Sequence, residues 1–173
     1  MTERQLGIGL GMLTGLLVGL LVVVLLFRMR VLDCTFDERQ ERARGKAFKY
    51  GFFTLLISIF LYGCSELVLG RWCDALAGGS ICVGLGMTVF AVVCIWKDAY
   101  LSLRERPGRV VPMMLVIGLG NLAISVTRIL DGGLLENGIL TFRAANLILG
   151  VMVLVILAAY LVSALVRGRG KGE

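Results

Sequence analysis

The stretch Arg28–Tyr50, with the sequence RMRVLDCTFDERQERARGKAFKY, lies between two long apolar runs and decides how the chain is threaded. Seven of its side chains are cationic: Arg28, Arg30, Arg39, Arg42, Arg44, Lys46 and Lys49. Cationic residues beside membrane-spanning helices remain on the cytoplasmic side far more often than they cross. We therefore expect this stretch to lie in the cytoplasm and to set the direction of the spans on either side of it.

The composition points to lipid as the solvent of the rest of the chain. The 173 residues are 58% hydrophobic, with a mean hydropathy of +0.89, which is more apolar surface than one soluble core of this size could bury. Charges are confined to short segments and leave apolar runs of about 20 residues, the length that crosses a bilayer core of about 30 Å. We predict an all-α, polytopic membrane helix bundle that forms a single membrane domain over residues 1–173.

Five apolar runs predict five transmembrane helices, at residues 6–27, 51–69, 75–96, 110–130 and 144–166. With residues 28–49 in the cytoplasm, the N-terminus is expected outside and the C-terminus in the cytoplasm. Pro112 is expected in the first turn of the fourth span, where a proline costs no helical hydrogen bond. In the outer loop before the fifth span, four apolar residues could form a short amphipathic helix at the membrane interface: Leu134, Leu135, Ile139 and Leu140.

The net charge of +6 follows from this topology. Fourteen of the 18 lysine and arginine residues fall in the three segments that we expect inside. Basic segments beside a membrane are attracted to anionic lipid headgroups. The lipid bilayer is therefore the expected partner of these residues, and no nucleic-acid partner is predicted.

Residues that carry catalytic chemistry are few. The chain contains no histidine, which removes the commonest metal ligand and general base. Its five cysteines form no C-x-x-C pair, so neither a disulfide framework nor a zinc site is indicated. Cys73 differs from the others because its loop is expected to face outside, where it could be oxidised. We predict no catalytic, cofactor-binding or metal-binding residue, and we lean towards a protein that is not an enzyme.

A repeat of glycine marks one face of the first span. Gly7, Gly11, Gly15 and Gly19 recur at every fourth position, so helices can approach each other closely along this face. The repeat predicts a helix-packing seam of the glycine-zipper type. The seam could pack within the protein's own bundle, join two copies in a homo-oligomer, or dock another membrane protein.

The charged residues Asp37–Arg44 predict a cytoplasmic helix at about residues 36–50 that extends the second span. Glu38 and Arg42 have the favourable i,i+4 spacing, and Glu41 and Arg44 have i,i+3 spacing. This helix could dock a soluble partner, be held by a lipid surface, or be a solvated helix with weak surface ion pairs. Lys46 or Lys49 could also meet Asp98 from the next inner loop. The candidate cytoplasmic rim comprises Asp37, Glu38, Glu41, Arg42, Lys46, Lys49 and Asp98.

Polar residues also gather near the outer ends of the predicted spans. This candidate polar cluster comprises Glu66, Ser80, Asn121, Ser125, Arg128 and Asn146. Because an unpaired charge at membrane depth is costly, Glu66 and Arg128 are expected to pair if their helices meet. The cluster could form an outward-opening pocket for a solute, or its members could be interfacial residues that reach the headgroups.

Two stretches beside the inner membrane surface, DERQERARGKAFKYGFFTLL from Asp37 to Leu56 and CIWKDAYLSL from Cys94 to Leu103, carry a family resemblance. They resemble an uncharacterised family of small bacterial multi-pass integral membrane proteins. The resemblance implies a multi-pass protein of the bacterial inner membrane. It implies no activity, substrate or catalytic residue.

We interpret the chain as a non-enzymatic inner-membrane protein that acts as an accessory or regulatory subunit. The charged inner helix and the glycine repeat favour a membrane or cytoplasmic protein partner that is engaged through the cytoplasmic rim. The alternative is a small transporter, a channel or a solute-binding membrane subunit that uses the outer polar cluster.

Overall fold

The computed structural model describes residues 3–28, 35–103, 105 and 107–169, which form five α-helices and one small β-hairpin. The chain divides into two compact units, Met1–Thr35 and Phe36–Glu173. In the first unit the described element is the helix α1, Glu3–Arg28. The second unit contains α2 (Glu38–Leu69), α3 (Ala75–Trp96), α4 (Pro107–Leu130), β1 (Leu135–Glu136), β2 (Ile139–Leu140), a 3₁₀ turn (Phe142–Ala144) and α5 (Ala145–Arg169).

Four of the described helices, α2 to α5, are long and apolar enough to cross a membrane. Large apolar side chains cover their outer surfaces, for example Phe60 and Leu67, which are 71% and 87% exposed. Such a surface suits lipid rather than water. The prediction of an all-α protein with several membrane-length helices is confirmed. Of the basic residues counted in the sequence, Arg30, Arg104, Arg106 and Lys171 lie outside the described residues, as does Cys34.

The helices of the second unit pack in the order α2, α3, α5, α4. The apolar core among α3, α4 and α5 is built from Ala91, Ile95, Met114, Ile156 and Leu157. We call the end that holds the first turns of α2 and α4 and the last turns of α3 and α5 the basic end. The opposite end, with the α2–α3 link and the β-hairpin, is the hairpin end.

Pairs of glycines bring neighbouring helices into backbone contact. A methyl group added to Gly51 of α2 would lie 2.9 Å from the carbonyl oxygen of Gly86 in α3. A methyl group added to Gly150 of α5 would lie 3.1 Å from the carbonyl oxygen of Gly118 in α4. These close approaches involve glycines of the second unit and none of the glycine repeat. The repeat falls within α1, where its four members share one face, and its role as a packing seam stays a prediction.

The helix α2 is continuous through 32 residues, from the charged segment into the apolar run. This confirms the predicted helical extension of the second span, which starts at Glu38. The expected place of Pro112 in the first turn of the fourth helix is wrong, because α4 begins at Pro107. A proline suits the first helical position, since its fixed φ angle matches the helix and its missing N–H would be unpaired there anyway. Pro112 consequently lies inside α4.

The loop between α4 and α5 contains a β-hairpin, so the suggested amphipathic helix over Leu134–Leu140 is wrong. β1 and β2 pair antiparallel, with Leu135 opposite Leu140. Asn137 and Gly138 connect them with φ angles of 53° and 78°. A turn with two positive φ angles matches the twist of a hairpin, and Asn-Gly is the sequence that adopts it most readily.

Candidate functional surface at the basic end

The charged segment is fixed as a helix from its first residue. Asp37 precedes α2, and its carboxylate accepts a 2.6 Å hydrogen bond from the backbone N–H of Gln40. The side-chain oxygen of Gln40 accepts in return from the backbone N–H of Asp37 at 3.2 Å. This capping box satisfies two N–H groups that the first turn would otherwise leave without partners. Asp37, a predicted rim residue, is therefore a helix cap.

Gln40 also fastens α2 to the rest of the second unit. It is 8% exposed although it lies in a segment of charged residues. Its amide nitrogen donates to the carbonyl oxygen of Asp98 at 2.8 Å and to that of Leu101 at 3.4 Å. Both acceptors belong to the segment that follows α3. The burial of Gln40 is not predictable from the sequence, because a glutamine among arginines and glutamates has no pattern that indicates burial.

Arg44 lies one turn after Gln40 and continues the same contact. Its guanidinium donates to the carbonyl oxygen of Ala99 at 3.1 Å and stacks over the ring of Phe36 at 4.0 Å. The guanidinium therefore faces the end of α3. Glu41 and Arg44, both described by the structure, form no ion pair despite their i,i+3 spacing, because the carbonyl oxygen of buried Ala99 and the ring of Phe36 hold the guanidinium.

α3 is terminated by a residue in the left-handed backbone conformation, and an arginine from α5 caps its last carbonyl groups. The N–H of Ala99 donates to the carbonyl oxygen of Cys94 at 2.8 Å, and the N–H of Asp98 donates to that of Ile95 at 3.2 Å. These bonds form a Schellman motif, in which Asp98 has a φ of 54°. Arg167 forms an ion pair with Asp98 and donates to the carbonyl oxygen of Ile95 at 2.6 Å. The suggested contact of Asp98 with Lys46 or Lys49 is wrong, because Arg167 occupies its carboxylate.

The remaining rim residues face outwards. Glu38 and Arg42 form the predicted i,i+4 ion pair at 2.6 Å, and this prediction is confirmed. Both side chains are more than three-quarters exposed, so the pair adds little to stability. Glu41, Lys46 and Lys49 are also exposed. The predicted rim thus consists of two groups. Asp37 and Asp98 form structural contacts at the basic end, and the other residues form an exposed charged surface on α2.

A cleft of about 300 Å³ lies behind this surface, between α2, α3 and α5. Gln40, Tyr160, Ser163 and Arg167 contribute to its walls, and Ser163 is only 2% exposed. Two of these side chains, Gln40 and Arg167, already hold the basic end together. The cleft collects polar groups from α2, from α5 and from the segment that follows α3.

The candidate polar cluster at the hairpin end is not one site. Glu66 accepts a 2.7 Å hydrogen bond from the hydroxyl of Tyr62 in its own helix. Arg128 is exposed and takes part in no ion pair within the described part of the chain. The expected pair of Glu66 with Arg128 is wrong, because α2 packs on α3 whereas α4 packs on α5.

The other members of the cluster are mostly satisfied within their own helices. Ser80, Asn121 and Ser125 each donate to a carbonyl oxygen four residues earlier, at distances of 2.7 to 2.8 Å. Asn146 lies in the first turn of α5 and is half-buried. Hydrogen bonds of this kind place no polar group in a shared pocket. The geometry therefore gives the transporter alternative no specific support.

Asp74, which the sequence analysis left out of the cluster, organises the hairpin end. One carboxylate oxygen caps α3 by accepting from the N–H of Ala77 at 2.6 Å, and the other accepts from the N–H of Phe142 at 2.7 Å. The hairpin is also hydrogen-bonded to the α2–α3 link through the backbone. The N–H of Asp74 donates to the carbonyl oxygen of Leu140, and the N–H of Leu140 donates to that of Trp72. An aspartate directly before an apolar helix is the signal that could have identified it.

Cys73 lies under this junction and is completely buried. Burial, together with the neighbouring carboxylates of Asp74 and Glu66, raises the pKa of its thiol. The cysteines described by the structure, Cys64, Cys73, Cys82 and Cys94, are all free thiols. A buried thiol with a raised pKa is poorly reactive, so the oxidation considered for Cys73 from its loop position has no support in this geometry.

Comparison of the chain with protein-family models, with curated proteins and with solved structures finds no match. The resemblance carried by Asp37–Leu56 and Cys94–Leu103 therefore stays a prediction. Both stretches meet at the basic end, where Gln40 contacts Asp98 and Leu101.

Proposed function

We propose that the protein is a non-enzymatic, multi-pass protein of the bacterial inner membrane that acts as an accessory or regulatory subunit. It engages a protein partner through the exposed charged surface of α2, which we define as Glu38, Glu41, Arg42, Lys46 and Lys49. The observation that carries this proposal is the burial of Gln40. Its hydrogen bonds to Asp98 and Leu101 make the charged helix a fixed part of the bundle.

A fixed charged surface is suited to recognition because binding does not have to order it. A loose segment loses conformational freedom when it binds, at a cost of about 1–2 kcal/mol for each backbone residue that becomes ordered. The capping box at Asp37 and the contact of Arg44 with Ala99 remove much of that cost in advance. Topology alone requires only cations here and does not require the acidic residues Glu38 and Glu41.

The proposal includes five spans, with the N-terminus outside and the basic end in the cytoplasm. α1 is proposed as the first span, in addition to α2–α5, and its 26 residues support this, since they extend about 39 Å at 1.5 Å per residue. The orientation is supported by the positive-inside rule, since Lys97, Arg109 and Arg167 lie at the same end as the cations of α2. The orientation is tested by fusing reporter enzymes after Lys49 and after Arg167. A reporter that is active only in the cytoplasm should be active at both positions, and activity of a periplasmic reporter at either position would contradict this orientation.

The partner proposal is tested by copurification from native membranes with a tagged full-length chain. In the double variant Glu38→Lys/Glu41→Lys, the charge of the proposed surface is reversed without touching Gln40 or Arg44. We expect this variant to lose a discrete copurifying protein at least several-fold, because reversed charges at an interface repel a complementary partner. Asp131→Lys/Glu136→Lys is the matched control, since it makes the same change of charge at exposed positions of the hairpin end.

The control variant is expected to retain the partner at the level of the unmodified chain. Equal recovery of the same protein with both double variants would contradict docking through α2. A chain that recovers no specific protein, under conditions that preserve other membrane complexes, would also contradict the accessory-subunit proposal.

A further inference from the structure

A second feature of the basic end is a shallow groove between α2 and the end of α3. It has a volume of about 440 Å³ and is lined by Glu38, Arg39, Arg42, Ala43, Lys46 and Lys97. Arg39, Arg42 and Lys46 follow the i, i+3, i+7 spacing of a single helix face. The residues that fasten α2, Gln40 and Arg44, lie on a different face of the helix.

The groove has a strong excess of positive charge. Its one carboxylate, Glu38, is paired with Arg42. Arg39, Lys46 and Lys97 are exposed and take part in no ion pair within the described part of the chain. Two exposed cations of α2 and one from the residue that follows α3 therefore line one recess and have no anionic partner there. Such an arrangement is complementary to a phosphate group.

The residues around the groove are of the types that lie at the depth of lipid headgroups. Lys97 directly follows Trp96, the last residue of the membrane-length helix α3. On α2, Tyr50 lies one turn deeper than Lys46 on the same face. The rings of Tyr50 and Trp96 are 57% and 53% exposed, as is typical of aromatic side chains at the boundary between headgroups and acyl chains. A lipid bound in the groove would place its acyl chains along the apolar surfaces of α2 and α3 below these rings.

The spacing of the cations is held by the structure itself. Gln40 and Arg44 bind the carbonyl oxygens of Asp98, Leu101 and Ala99, and all three acceptors are within four residues of Lys97. The cations of α2 are therefore kept beside Lys97 before any ligand arrives. Preorganised basic pockets between membrane helices are a recognised way of binding anionic headgroups.

We propose that the groove lined by Arg39, Arg42, Lys46 and Lys97 binds the phosphate headgroup of an anionic phospholipid from the leaflet at the basic end. The site requires that the helices span a bilayer. It shares Arg42 and Lys46 with the surface proposed for the protein partner, and lipid binding to the purified chain is measured without that partner. Its occupant is a membrane lipid rather than free phosphate, because the recess lies directly above a lipid-facing apolar surface.

The test uses the purified full-length protein in mixed micelles, with phosphatidylglycerol as the probe, phosphatidylcholine as the neutral comparison and native mass spectrometry as the measurement. In the site variant Lys46→Gln/Lys97→Gln, two exposed cations become neutral. We expect its affinity for phosphatidylglycerol to fall roughly thirtyfold, the effect of losing two basic contacts with an anionic lipid. The matched control Lys49→Gln/Arg109→Gln removes the same charge from exposed positions outside the groove and is expected to change affinity less than twofold.

Three further outcomes decide the proposal. Lys46→Arg/Lys97→Arg is expected to bind phosphatidylglycerol like the unmodified chain, because it keeps both cations, and a thirtyfold loss in this variant would contradict a site that recognises charge. Equal weakening in the site and control variants would overturn the proposal in favour of general charge attraction. Displacement of phosphatidylglycerol by millimolar inorganic phosphate would identify a site for the free anion instead of a lipid.

Discussion

The side-chain amide of Gln40 donates a 2.8 Å hydrogen bond to the carbonyl oxygen of Asp98, a residue 58 positions later in the chain. This bond joins the charged start of α2 to the segment that ends α3. Asp98 is held in turn by Arg167 of α5. The side chains of Gln40 and Arg167 thereby connect three helices of the second unit at the basic end. We call these contacts the framework of the basic end, and they fix the position of the exposed charges of α2.

Removal of the Gln40 amide is expected to weaken the framework. In Gln40→Ala, the carbonyl oxygens of Asp98 and Leu101 lose a donor and the capping box loses one of its two bonds. A lost intramolecular hydrogen bond costs about 0.5–1.5 kcal/mol net, so the loss of these bonds should lower the free energy of unfolding by about 1–3 kcal/mol in a denaturant titration of the protein in detergent. The exposed neighbour provides the control, since Glu41→Ala should leave unfolding unchanged.

Substitutions of Asp98 separate its backbone conformation from its ion pair. Its φ of 54° disfavours most side chains but is tolerated by asparagine. Asp98→Asn loses only the pair with Arg167, and because both side chains are more than 40% exposed, that loss should cost less than about 1 kcal/mol. Asp98→Ala should cost about 1–2 kcal/mol more than Asp98→Asn, because alanine is strained in a left-handed conformation. Equal unfolding energies for the two variants would contradict the Schellman geometry.

Two glycines of α2 should respond to alanine with opposite signs. A methyl group at Gly51 meets the backbone oxygen of Gly86 at 2.9 Å, whereas one at Gly45 meets nothing within 4 Å. Gly51→Ala is expected to destabilise the protein by about 1–3 kcal/mol, because backbone atoms cannot easily move aside. Gly45→Ala should leave stability unchanged or raise it by up to about 1 kcal/mol, through its higher helix propensity. Thermal unfolding of both variants checks the prediction.

The thiol of Cys73 should resist alkylation in the folded protein. Burial and the adjacent carboxylates raise its pKa, and the thiolate is the reactive form, so labelling at pH 8 should be slow and should increase only at more alkaline pH. Mass spectrometry should count the same number of labelled thiols in the native unmodified chain and in Cys73→Ser. After denaturation, the unmodified chain should gain one more label than the variant. A native label at Cys73 at pH 8 would mean that the α2–α3 link is open.

The features that the sequence predicts correctly are those that depend on residues close together in the chain. The membrane-length apolar runs and the helix of the charged segment depend on periodicity and composition, and the third span was predicted with its observed bounds, Ala75–Trp96. The ion pair of Glu38 with Arg42 depends on spacing along one helix. The hairpin was missed, although its Asn137-Gly138 turn is itself a local signal.

Contacts between helices were harder to predict because they depend on which helices are neighbours. The expected pair of Glu66 with Arg128 assumed that α2 meets α4, but α2 packs on α3 and α4 packs on α5. Similarly, the partner of Asp98 is Arg167, which is 69 residues away in the sequence and on a different helix from the lysines first considered. The burial of Gln40 depends on the same tertiary arrangement, so no pattern within Arg28–Tyr50 reveals it.

Hydrogen–deuterium exchange of the full-length protein in lipid nanodiscs tests the central claim most directly, namely that the charged segment is a fixed part of the bundle. Most of the residues 41–47 have exposed side chains. Their backbone amides nevertheless lie in a helix that is capped by Asp37 and held to the bundle by Gln40 and Arg44. We predict that they exchange orders of magnitude more slowly than an unstructured peptide, and that Gln40→Ala accelerates them without affecting the hairpin end. Complete exchange of residues 41–47 within seconds in the unmodified protein would contradict the account.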